Sequence, residues 1–309
     1  MKKKLLKIAL TVMAFCLIFT FNASADTGPK PSVNITFHNM GSEKCYATLL
    51  SDSDSSGPAR AWNGKEAPDY YVWEGDGVEY NEDDSLHKDI WQKMADYTDS
   101  DGYYFLQRIW RVDETKELKW TYYPPDTFKL LLYYPKTDTF VSSGIYESYA
   151  FDSYFTVNME GITIAEVNHP QENSTPLCGT VTAEESYDYK WEAISLLARI
   201  LITILLETGI ALLFSYKTKK ELTIIGIVNI VTQIILNVAL NIINYQDGYM
   251  AFTAYYIFLE IVVFALEAAI YCARLKSKKK SRNILYALTS NAISFGVGLW
   301  LAHIIPGIF

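Results

Sequence analysis

The chain has 309 residues, with 27 Lys and Arg against 35 Asp and Glu, and a net charge of −8. Its near-neutral mean hydropathy averages two unlike halves: residues 26–190 hold 29 acidic against 13 basic side chains, and residues 191–309 hold six against ten. A net charge of −16 on the first half excludes an electrostatic nucleic-acid surface, and no Gly-rich phosphate loop occurs anywhere.

Residues 1–25 begin with Lys2, Lys3 and Lys4, continue through a largely apolar run from Leu5 to Phe21, and end in Ala23-Ser24-Ala25. That order of charged, apolar and small-residue segments predicts a secretory signal peptide cut before Asp26.

Residues 26–190 follow as an exported, acidic, aromatic-rich domain. Tyr70-Tyr71-Val72-Trp73, Tyr103-Tyr104-Phe105 and Trp120-Thr121-Tyr122-Tyr123 suit pleated, half-buried surfaces. Strands are expected at Ser32–Phe37, Tyr46–Leu50, Tyr103–Val112, Phe128–Tyr134, Phe155–Asn158 and Ile162–Val167, with Gly, Pro, Asp and Asn at the breaks. Short strands of this kind favour a mainly-β, sandwich-like domain. Leu86, Ile90, Met94 and Tyr97 share one side of a helix over Leu86–Tyr97.

Cys45 and Cys178 are the two cysteines of this domain, and an oxidising compartment permits a disulfide between them; the alternative is two separate buried thiols. Asp99-Ser100-Asp101-Gly102 resembles part of a calcium loop, but the spacing puts Tyr97 first and Arg108 twelfth where carboxylates are required. It reads as a solvated turn. His38, His87 and His169 match no metal-binding helix motif, and no Gly-x-Ser-x-Gly elbow is present. With no catalytic constellation, the domain is expected to bind rather than to catalyse, and no cofactor is expected.

Residues 191–309 hold four apolar stretches, about 193–215, 222–243, 252–272 and 284–304, each near the ~20 residues that a spanning helix needs. An all-α bundle of four transmembrane helices is expected here. Lys217, Lys219 and Lys220, then Arg274, Lys276, Lys278, Lys279, Lys280 and Arg282, fall in the segments 216–221 and 273–283 between stretches. Positive-inside bias assigns both segments to the cytoplasm of a multi-pass protein of the cell membrane, leaving residues 26–190 and the C-terminus outside.

Each stretch carries one polar residue at nearly the same depth: Glu207, Asn229, Glu267 and Asn291. A rise of ~1.5 Å per residue places all four roughly 4–8 Å to the cytoplasmic side of the midplane. Arg199, Glu260 and Asn237 form a second, outer layer, expected to be a structural ion pair completed by an amide. The inner layer has no basic side chain, so its carboxylates require protons, water or a metal cation. It serves either as hydrogen-bonded glue between helices or as an ion or proton site.

The expected function is that of a non-enzymatic integral membrane protein whose exported domain binds or senses an envelope component, a glycan or a protein, on a polar-cored bundle. A membrane-protein partner would carry any output inward. The alternative is a cation- or proton-coupled transport component using the Glu/Asn layer. The expected partners are the bilayer and an envelope ligand, with no nucleic acid.

Overall fold

A computed structural model describes residues 28–57, 59–62, 84–160 and 177–304 of the chain. The expected signal peptide and the strand expected at Ile162–Val167 lie outside the described residues. The chain divides into an N-terminal, mainly-β region and a C-terminal region of three long apolar helices.

In chain order the first region contains β1 (Ser32–His38), β2 (Tyr46–Ser51), β3 (Ser55–Ser56), β4 (Ala59–Arg60), helix α1 (Asp84–Asp96), β5 (Tyr104–Phe105) and β6 (Trp110–Arg111). It continues through a short α2 (Val112–Thr115), β7 (Glu117–Trp120), β8 (Thr127–Tyr134), β9 (Thr139–Glu147), β10 (Asp152–Asn158), β11 (Leu177–Val181) and β12 (Ala183–Glu185). One sheet has the order β12-β10-β1-β7, and a larger one has the order β11-β9-β8-β2-β5 with β6 also on β2. Strands β3 and β4 form a separate ribbon. Two pairings are parallel, β1 with β10 and β9 with β11.

Side chains on a strand alternate between faces, and β8 uses both. Phe128, Leu130 and Leu132 join Val33, Ile35, Leu49, Trp120 and Phe155 in a core shared by the two sheets. Leu131 and Tyr133 turn the other way, into a second core with Ile90, Trp91 and Met94 of α1. A strand covered on both faces reads as an unbroken apolar run, and Lys129 is the exception within it. Its ammonium, buried, donates to Asp99 Oδ1 at 2.5 Å and Asp101 Oδ2 at 2.8 Å. Asp99 in turn accepts from the backbone N–H groups of Asp101 and Tyr103.

The Asp99–Gly102 segment is a turn with Ser100, Asp101 and Gly102 exposed, as expected, but with Asp99 turned inward. Its carboxylates hold an internal cation, the lysine, because a buried ammonium without acidic partners would be costly.

The span expected as one strand, Tyr103–Val112, is two short strands. Gln107 between them has a φ of +62°, and Thr48 Oγ1 donates to the Arg108 carbonyl at 2.6 Å. Arg108 lies buried with its guanidinium 5.0 Å from the Trp110 ring and 4.7 Å from that of Trp120.

Of the two alternatives for Cys45, bridge or buried thiol, the structure has the second: Cys45 is a free, buried thiol. Cys45 directly precedes β2, and Cys178 lies on β11, three strand spacings away in the same sheet. At ~4.8 Å per spacing that is about 14 Å, against the ~7 Å limit between Cα atoms for a disulfide.

The helical region consists of α3 (Tyr189–Leu213), α4 (Lys219–Arg274) and α5 (Lys280–Ile304), each long and apolar enough to cross a membrane. Asp188 caps α3 by accepting from the Trp191 N–H at 3.1 Å. Thr218 and Glu221 form a capping box at the start of α4. Helix α4 runs for 56 residues but is interrupted at Gly248, where φ is 80° and ψ is 177°. Its halves lie antiparallel: Thr232 bonds to Glu267 and Asn229 to Tyr271, while Ser277, just past its end, bonds to Glu221 near its start.

Candidate functional site in the helical core

Burial in the helical region is inverted relative to a water-soluble core. On α3, Leu197, Leu201 and Leu205 are 66%, 59% and 64% exposed, whereas Glu207 is fully buried. On the first half of α4, Ile227, Val231, Ile235 and Val238 face outward, and Asn229, Thr232, Gln233 and Asn237 face inward. The second half buries Glu260, Glu267 and Tyr271, and α5 buries Asn283, Tyr286, Ser290 and Asn291. Helical periods of three and four residues put each set on one face. Water favours the opposite arrangement, since charged and amide side chains are seldom fully buried unless paired.

The four residues of the expected inner layer, Glu207, Asn229, Glu267 and Asn291, are all 0–1% exposed and belong to one network. Glu267 accepts from Thr232 Oγ1 at 2.6 Å and from Asn291 Nδ2 at 2.7 Å, one bond to each carboxylate oxygen. Glu207 Oε1 accepts from Ser294 Oγ at 3.3 Å, and the Glu207 backbone carbonyl accepts from Tyr286 Oη at 3.2 Å. Asn229 neighbours the Glu207 carboxyl, and its Nδ2 lies 3.3 Å from Tyr271 Oη.

Both amides also donate to the carbonyl one turn back on their own helix, Asn229 to Ile225 and Asn291 to Ala287. Glu207 Oε2, Asn229 Oδ1 and Asn291 Oδ1 are left buried without a hydrogen-bond donor among the described residues. Thr232, Tyr286 and Ser290 complete the layer, and sequence spacing does not single them out. Thr232 sits three residues after Asn229 on the same face, which is the one signal available for it.

In the outer layer, Arg199 Nη1 donates to Asn237 Oδ1 at 3.4 Å, and the guanidinium lies 5.7 Å from the Phe252 ring. Asn237 Nδ2 donates to Gln233. Glu260, the third residue of the expected trio, is 7% exposed. The arginine of the expected trio thus meets the amide, with its charge over an aromatic ring.

The ends of the helices differ in chemistry. At one end, Arg282 Nη2 donates to the Phe214 carbonyl, and Tyr216 Oη and the Tyr271 and Leu275 carbonyls all bond to Asn283, drawing the two basic segments together. At the other, Tyr189, Trp191 and Tyr249 are 58%, 45% and 70% exposed.

There the β region meets the helices. The Phe151 N–H donates to the Tyr245 carbonyl at 2.8 Å, and the Tyr245 ring lies 5.2–6.4 Å from those of Tyr149, Tyr187 and Tyr189, edge-on to Tyr187 and tilted to the other two.

No family model, curated protein or solved structure matches the chain. Function therefore rests on the geometry alone.

Proposed function

We propose that the chain is a non-enzymatic integral membrane protein whose exported β domain binds or senses an envelope component, a glycan or a protein, on a polar-cored four-helix bundle. Residues 1–25 act as its signal peptide. The four helices are α3, the two antiparallel halves of α4, and α5. What supports a bilayer location is the inverted burial, since an apolar circumference around inward amides and acids suits acyl chains as solvent. Nine basic residues at one end and exposed Tyr and Trp at the other fit a cytoplasmic and an outer boundary respectively.

The observation that carries the sensing role is the joint at Phe151. This residue, just before β10, is bonded to Tyr245 and abuts Gly248, the break between the second and third spans. A displacement of the β domain would therefore act directly on the α4 turn. A cation- or proton-coupled transport component is the second reading, favoured by the three buried oxygens that face no donor.

The test is purification of the full chain in mild detergent, followed by native mass spectrometry. A glycan or envelope protein that is released by proteolysis of the β domain is the expected companion. Copurification of lipid alone contradicts the sensing role.

A further inference from the structure

We propose that the inner layer binds one hard monovalent cation, of the class of Na⁺, through Glu207 Oε2, Asn229 Oδ1 and Asn291 Oδ1. The proposal rests on the bundle reading for its dry surroundings and is independent of whether anything is transported.

Three oxygens that face no donor, on side chains 0–1% exposed, are the starting point. Buried polar atoms are ordinarily paired, so three in one network ask for a positively charged or proton-donating ligand. The amide orientations are fixed by their neighbours. Asn229 Nδ2 has the Ile225 carbonyl at 3.0 Å and Tyr271 Oη at 3.3 Å; Asn291 Nδ2 has the Ala287 carbonyl at 2.9 Å and Glu267 Oε2 at 2.7 Å. Rotating either amide by half a turn would set oxygen against a carbonyl oxygen. Both Oδ1 atoms must therefore point away from these partners.

The three oxygens come from three helical segments that already touch. Ser294, one turn beyond Asn291 on α5, donates to Glu207 of α3, and Asn229 of α4 neighbours the same carboxyl. A site at their meeting point would tie α3, α4 and α5 together through one ion.

The donor chemistry selects the ligand. Oxygen atoms with no nitrogen or sulfur suit hard cations. Both Glu267 oxygens are occupied by donors, so Glu207 Oε2 is the one carboxylate oxygen of the layer left for an ion, and a single positive charge neutralises that carboxylate. No group of three or more His, Cys, Asp or Glu that would hold a metal ion occurs among the described residues, which disfavours a divalent ion. A proton on Glu207 would satisfy one amide oxygen and strand the other. A cation engages all three.

The test is equilibrium binding of ²²Na⁺ to the full chain in detergent at constant pH, with choline chloride holding ionic strength fixed. One saturable equivalent per chain is expected for the wild type, with at least a tenfold loss of affinity in Glu207→Gln and none in Glu260→Gln of the outer layer. Absence of saturable binding to the wild type overturns the proposal, as does undiminished binding by Glu207→Gln. Should Glu207→Gln not fold, thermal unfolding of the wild type decides: a midpoint raised by Na⁺ but not by choline supports the site, and one that responds to acidity alone assigns the layer to a proton instead. Labelling of a Lys279→Cys variant with an impermeant reagent reports on the membrane topology separately, so a failed ion site and a failed bundle are distinguishable.

Discussion

The ring of Phe151 lies where a side chain on Gly248 would begin: a Cβ built on Gly248 would meet Phe151 Cδ1 and Cε1 at 2.6 Å. With φ at 80° and ψ at 177°, Gly248 also occupies a backbone region open almost only to glycine, one that costs other residues about 1–3 kcal/mol. Two independent constraints thus meet where the β region contacts the α4 turn.

Gly248→Ala is expected to destabilise the protein on both counts. Phe151→Ala combined with Gly248→Ala should recover the steric part and leave the backbone part, so the double variant falls between wild type and Gly248→Ala in thermal unfolding. A Gly248→Ala protein as stable as wild type would show that the joint is loose.

Lys129→Met is expected to cost about 3–5 kcal/mol, the range for removing one partner of a buried ion pair. Asp99, with its side chain 1% exposed, would be left as an uncompensated charge. Adding Asp99→Asn should restore part of the loss, which a double-mutant cycle by denaturant unfolding measures. A calcium titration of the wild type should show no site at Asp99 and Asp101, because the Lys129 ammonium already occupies the position between them.

The pH dependence of the β region has two ends. Burial acts to lower the Lys129 ammonium, but hydrogen bonds from it to Asp101 and Asp99 outweigh that and hold it above the usual lysine range. Its stabilisation is complete below the unfolded value of ~10.4 and is lost as pH rises through the higher folded value.

Asp138 behaves in the opposite sense: burial acts to raise it, yet hydrogen bonds from Lys93 at 2.7 Å and Tyr133 at 2.8 Å hold it below the usual range. Its contribution is complete above ~3.9 and is lost as pH falls through the lower folded value. Asp138→Asn should make the acid limb of the stability profile shallower, which denaturant unfolding as a function of pH measures.

Burial pushes the Cys45 thiol up to about 12, with weaker effects from Tyr134, Asp113 and Glu43. It should resist maleimide at neutral pH in the folded chain and react on unfolding, since the thiolate is the nucleophile. A Cys45–Cys178 disulfide recovered from non-reduced peptides would contradict the sheet order.

How much of this was legible depended on whether a neighbour in sequence or a distant one sets the structure. Ser32–Phe37 and Phe128–Tyr134 carry their own apolar pattern and appear as β1 and β8, and the Leu86–Tyr97 periodicity appears as α1. Tyr103–Val112 misleads because aromatic content reports burial, not a continuous ladder, and the turn at Gln107 has no composition cue. Strand β9 escapes notice because Ser142, Ser143 and Gly144 interrupt its apolar character while its partners on both sides cover it. The Asp99–Lys129 pair joins residues 30 apart, although a lone lysine in Phe128-Lys129-Leu130-Leu131 already demands an acid.

In the helices, one polar residue per apolar stretch points to the inner layer, because 3.6-residue periodicity fixes which face each occupies. Which donor meets which acceptor is set by the rotation of α3, α4 and α5 against one another, which no single stretch encodes. That is why Thr232, not Asn229, is the partner that α4 gives to Glu267.

The central claim is that α3, α4 and α5 present apolar faces to lipid and enclose the acids. Spin labels at Leu205, Ile235 and Leu266, which are 64%, 63% and 48% exposed, and at exposed Lys279, test it in bilayers through their access to oxygen and to a water-soluble nickel complex. High oxygen and low nickel access at the three apolar positions, with high nickel access at Lys279, is the predicted result. High nickel access at Leu205, Ile235 and Leu266 would place those faces in water and contradict it.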